Sequence, residues 1–161
     1  MQDKAEKIAG GFGAAAGPVF SRRGYLLFCD VKSDRILKWE HGAVTTFREK
    51  SGGARALTFD HQGRLLTCEA HRVTRTEKDG KIIPLASGNF APADLVYSID
   101  GTVYFADPES GTVLRCTPNG EMLTGIRDGG RPVGVALAPN QLRLFAADAG
   151  RKLRGLCHGI S

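Results

Sequence analysis

The chain has 161 residues, 42% of them hydrophobic, with 21 glycines and a formal net charge of +5, which is enough to bury a core as one domain. No stretch approaches the roughly 20 apolar residues of a membrane span, and the polar opening Met1-Gln2-Asp3-Lys4-Ala5-Glu6-Lys7 is not that of a signal peptide. The basic residues are spread along the chain instead of forming a run, which argues against a nucleic-acid partner and leaves solubility as the meaning of the excess charge.

In chain order, the first recognisable element is GPVFSRRGYLLFCD, residues 17 to 30, where β-formers flank a glycine-bearing turn. Residues 35–39 and 43–47 read as a third and a fourth strand, divided by the turn His41-Gly42. The pattern returns at RALTFDHQGRLLTCE (55 to 69), followed by strands at 72–75 and 81–85. It returns again at ADLVYSIDGTVYFADP (93 to 108), with strands at 112–115 and 121–126, and at VGVALAPNQLRLFAAD (133 to 148), with a strand at 152–154. The apolar marker of the first strand falls at Val19, Leu57, Leu95 and Val135, in steps of 38, 38 and 40. The acid closing the second strand falls at Asp30, Glu69, Asp107 and Asp148, in steps of 39, 38 and 41.

A period near 40 built of strands and turns, with no sustained 3.6-residue apolar pattern, predicts an all-β fold, a β-propeller of four-stranded repeats. The expected organisation is a single propeller domain over 1–161, with repeats at about 14–53, 54–91, 92–130 and 131–161. The last repeat lacks a fourth strand, and Lys7-Ile8-Ala9-Gly10-Gly11-Phe12 is expected to supply it. Within one chain this closure gives a compact four-bladed monomer; exchanged between chains it gives a homo-oligomeric ring.

Cys29, Cys68, Cys116 and Cys157 have no CxxC spacing and no histidine partners at zinc spacing, so they read as packed thiols in a reduced, cytoplasmic setting, a removed export signal being the other alternative. His41, His61, His71 and His158 accompany no nucleophile motif. Trp39 reads as a packing residue between blades. The closing acids invite a metal-cluster reading by their repetition, but the turn that follows each gives them backbone N–H groups to accept.

Read together, the segments GPVFSRRGYLLFCDVKSDRILKWEHGAVTTFRE, GGARALTFDHQGRLLTCE, RVTRTEKDGKI, ADLVYSIDGTVYFADP and RPVGVALAPNQLRLFAAD resemble the gluconolactonase and senescence-marker-protein family, also called luciferin-regenerating-enzyme-like. The resemblance spans roughly residues 8 to 150 and matches the first four blades of a six-bladed propeller. It implies hydrolysis of sugar lactones or related esters with one divalent metal, calcium or zinc, in the central channel. Carried over by position, however, the family's glutamate before Gly-Pro-Val is Ala16, its asparagine before Asp-Leu-Val is Ala93, and its asparagine between proline and glycine is Val133. The family's last ligand, an aspartate of the fifth blade, has no counterpart up to Ser161. Alanine and valine supply no oxygen to a hard cation, so no metal ligand is assigned in this chain.

Among the slots two residues before the apolar markers, Gly17, Arg55, Ala93 and Val133, only Arg55 is charged. It reads either as a binder of an anion or sugar acid, with Asp94 as acceptor or weak general base, or as an arginine paired with Asp94. Two functions follow. One is a lactone hydrolase with an unusual ligand set or residues from another chain; the other is a non-catalytic binding or assembly module on the same scaffold.

Overall fold

The computed structural model describes residues 4–123, 125, 127, 130–150 and 152–157. Fifteen strands are assigned among them: β1 (Ala15–Phe20), β2 (Leu26–Asp30), β3 (Arg35–Glu40), β4 (Ala43–Arg48), β5 (Ala56–Phe59), β6 (Leu65–Cys68), β7 (Arg72–Thr76), β8 (Ile82–Ser87), β9 (Asp94–Tyr97), β10 (Val103–Asp107), β11 (Thr112–Cys116), β12 (Met122–Leu123), β13 (Pro132–Leu137), β14 (Arg143–Asp148) and β15 (Lys152–Cys157). They form antiparallel meanders β1-β2-β3-β4, β5-β6-β7-β8, β9-β10-β11-β12 and β13-β14-β15. Each hairpin read from the sequence is thus the first pair of one sheet. The strand expected over 121–126 is described as β12, and residues 124 and 126 lie outside the described residues, as does His158; nothing is described of the Cys157 side chain.

The sheets stack like propeller blades, because the second strands of the second and third blades, β6 and β10, are sandwiched on both faces. Successive side chains of a strand point to opposite faces, so in β6 Leu65 joins the cluster with Leu27, Cys29, Ile36 and Leu57 of the first two blades. Its neighbour Leu66 joins the cluster shared with Leu95, Val103 and Phe105 of the third. In β10 the same alternation sends Phe105 towards the second blade and Tyr104 towards Val113, Leu144 and Ala146 on the side of the fourth. That double burial is why LLTC and VYFAD are buried without a polar face.

The closing acids tie each blade to its own entry. Asp30 Oδ1 accepts the N–H groups of Gly13 (3.1 Å) and Ala14 (3.0 Å), Asp107 Oδ1 accepts that of Ala91 (3.2 Å), and Asp148 Oδ2 that of Arg131 (2.8 Å). The bonds therefore reach the chain 16 or 17 residues upstream as well as the following turn, where Asp107 Oδ1 also accepts Glu109 N–H (3.2 Å). Glu69 departs from the pattern: it accepts from Arg48 Nη2, Arg72 Nε and Thr74 Oγ1.

Two expectations are not met among the described residues. Residues 4–14 carry no strand, and the β13–β15 sheet has three strands among the described residues, so the N-terminal segment does not complete it here. Phe12 instead stacks edge-on against Phe28, 4.8 Å between ring centroids, and Ile8, Ala9 and Phe12 line a hollow over Leu26 and Phe28. The reason is local: Asp30 captures Gly13 and Ala14 and pins the segment to the first blade. Trp39 is the second case. It lies opposite Leu26 in the ladder, on the face of the first blade that is turned away from the second. Among the described residues no helix is long and apolar enough to cross a membrane.

Candidate functional site

The four first strands β1, β5, β9 and β13 pack side by side along the inner side of the blades, and cross-blade contacts show that they point the same way. At their starting ends Gly17 meets Ala56, and Asp94 reaches Val135; at their far ends Tyr97 meets His61, and Ser98 meets Gln141. The candidate family site belongs to the starting ends. There a Cβ on Gly17 would stand 2.6 Å from Ala56 Cα and 2.7 Å from Arg55 O, and its φ of +53° is left-handed, so glycine alone allows the first two blades this approach.

Around this mouth Ala16 and Ala93 are half-buried and Val133 is 41% exposed. Arg55 is exposed and makes no ion pair among the described residues, which leaves its guanidinium free and rules out pairing with Asp94. Asp94 is the first residue of β9, and its Oδ2 accepts the Val135 N–H at 2.9 Å. It therefore clamps the third blade to the fourth. Burial pushes its pKa up, against the opposing pull of the Val135 and Leu95 N–H groups. No sequence signal separates this clamp from a catalytic acid, because the partner is a backbone group 41 residues away.

The divalent metal that the family resemblance implies does not fit these residues. Ala16, Ala93 and Val133 end in methyl groups, one Asp94 oxygen is committed to a backbone amide, and among the described residues no group of three or more His, Cys, Asp or Glu side chains converges. Cys29, Cys68 and Cys116 are buried free thiols. Burial pushes Cys29 up to about 12 and raises Cys68 and Cys116 as well, so all three stay neutral.

A carboxylate whose pKa is higher in the folded than in the unfolded chain binds more protons when folded, so its contribution to stability is present at low pH and is lost as pH rises past the raised value. Replacing Asp94 with asparagine keeps an oxygen for Val135 and removes the charge. The melting temperature of Asp94→Asn, measured relative to the parent chain, should therefore rise between acid and neutral pH, with the climb starting above the ordinary carboxylate pKa of 3.8. A pH-independent difference would contradict the burial of this charge.

Strands stacked as radial blades around converging first strands define a β-propeller. No protein-family model matches the chain. A curated gluconolactonase from Zymomonas mobilis subsp. mobilis (strain ATCC 31821 / ZM4 / CP4) is 24% identical over 184 aligned residues, covering 91% of this chain and 52% of that protein. A candidate gluconolactonase solved by X-ray crystallography superposes with a TM-score of 0.86 at 25% identity, over 96% of this chain and 62% of its own. A gluconolactonase structure from Xanthomonas campestris gives 0.80 at 24% identity, over 90% and 58%. The chain is a gluconolactonase-like propeller. It spans about half the length of the curated relative and about three fifths of the two structures.

Proposed function

We propose that this propeller binds a sugar acid or sugar lactone at the mouth formed by Arg55, Ala93 and Val133, and that its metal-dependent lactone hydrolysis is impaired. The observation that carries the reading is the absence of side-chain oxygen at Ala16, Ala93 and Val133 in a fold that superposes on a gluconolactonase-type structure with a TM-score of 0.86. Arg55 offers a carboxylate the planar, always-charged fork that recognises it best. Asp94 holds the seam beside it through Val135, which fixes the third blade against the fourth and shapes the wall a ligand would meet. Asp94 remains the candidate weak base, a role that competes with this bond. Without several oxygen ligands converging on one point, a divalent ion gains too little here to replace its water shell.

Calorimetric titration with calcium and zinc should give no micromolar site, and lactone hydrolysis should show no stimulation by calcium, zinc, manganese or magnesium. Gluconate should bind weakly and lose that binding in Arg55→Gln. A micromolar metal site in the channel together with metal-dependent turnover would overturn the reading. Introducing oxygen at the three positions together, Ala16→Glu with Ala93→Asn and Val133→Asn, should strengthen metal binding by about tenfold or more.

A further inference from the structure

At the far ends of the same first strands, a cavity of about 610 Å³ opens among the first-to-second-strand turns of three blades and Gln141 of the fourth. Its size lies within the range of small-molecule sites, roughly 300–1,000 Å³. We infer that it is a second binding site, separate from the mouth at Arg55, for a small flat carboxylate of the aromatic-acid class.

The argument rests on which groups in the wall are already engaged. Tyr97 Oη and His61 Nδ1 hydrogen-bond each other at 2.9 Å. Gln141 Oε1 accepts Ser98 Oγ (2.9 Å) and Ile99 N–H (2.7 Å). Asp60, the acid of the wall, is engaged through both oxygens: Oδ1 accepts the N–H groups of Gln62 (2.9 Å) and Arg64 (2.8 Å), and Oδ2 accepts Arg64 Nε at 2.7 Å. Its charge is therefore balanced from behind. Besides the Thr58 and Gln62 side chains, the wall leaves open charge of one sign and apolar surface. Arg22 and Arg23, side by side in the β1–β2 turn, line the cavity and make no ion pair among the described residues. Phe20 and Ile99 in the same wall are 64% and 76% exposed, and the Phe59 and Tyr97 rings stand beside them.

A carboxylate takes the guanidinium forks and a flat ring covers the exposed apolar surface, a combination that a polyol, with neither charge nor ring, does not offer. The blade-to-blade bonds at His61–Tyr97 and Ser98–Gln141 hold the wall in place before any ligand arrives.

Benzoate and indole-3-acetate are the probes, with gluconate (charge without a ring) and benzyl alcohol (ring without charge) as controls, in ligand-detected NMR and calorimetric titration of the whole chain. Both aromatic acids should bind saturably at low salt and more tightly than either control. The exposed double substitution Arg22→Gln with Arg23→Gln, checked to melt like the parent, should weaken them by about tenfold or more, while Ala93→Asn at the opposite mouth leaves them unchanged. Absence of saturable binding, equal binding by the double variant, or gluconate binding as tightly as benzoate at this end would overturn the assignment. Loss of gluconate binding in Arg55→Gln bears only on the opposite mouth, so the two readings fail separately.

Discussion

Replacing Phe105 with alanine should lower the unfolding free energy by about 3–5 kcal/mol, the range for deleting a fully buried aromatic ring. Phe105 has no exposed surface and sits in the cluster that joins the second and third blades, its ring centroid 5.0 Å from that of Phe90. The cost has two sources: the apolar surface lost from the core, and the cavity left behind. That cavity cannot collapse easily, because Leu66, Cys68 and Val73 on the facing blade belong to strands already fixed by their own ladders. For a chain of this size the change corresponds to a melting temperature lower by roughly 10 °C. Urea denaturation measures it directly, and a loss below about 1 kcal/mol would mean that the two blades are not packed through this ring.

The second large effect is expected at Glu69, which is 1% exposed and takes Arg48, Arg72 and Thr74. Arg48 comes from the end of the first blade's outer strand, so the carboxylate is a joint between two blades. Glu69→Ala should cost about 3–5 kcal/mol, most of it because Arg48, whose side chain is 10% exposed, loses its ion-pair partner while staying largely buried. Arg72, 49% exposed, can turn to water and contributes less. The double change Glu69→Leu with Arg48→Met should recover most of the loss, since taking both charges away also removes their desolvation cost. Equal loss in the single and double variants would show that shape, and not the stranded charge, sets the effect.

These two joints illustrate what could be read before the fold. Phe105 was legible as a buried strand residue, because VYF between a glycine turn and Asp107-Pro108 is a strand by local chemistry alone. Glu69 was legible only as one of four closing acids, and its three equivalents accept backbone amides while it takes two arginines. The difference lies in Arg48, twenty-one residues away, whose direction depends on how the first blade leans on the second.

The same division runs through the mouth. That Arg55, Ala93 and Val133 occupy equivalent places follows from the repeat period, and the absence of oxygen at two of them is a property of residue type. Whether Arg55 pairs with Asp94 is a matter of reach, and the structure gives Asp94 to the Val135 amide and leaves Arg55 exposed. The N-terminal segment shows the limit in another way. Its apolar residues made it a credible strand, but a strand needs a partner edge, and the Asp30 carboxylate ties its end to the first blade.

The sequence by itself determined the strands, the turns and the near-40-residue repeat, because each rests on residue type and on neighbours within a hairpin. Only the tertiary structure decided the Asp94 clamp, the Glu69 joint, the outward placing of Trp39 and the cavity beside Arg22 and Arg23. Each of these depends on the rotation of one blade against the next or on which flank of a blade is covered. That rotation is set by the shapes of many side chains packed at once, and no single stretch of the chain encodes it.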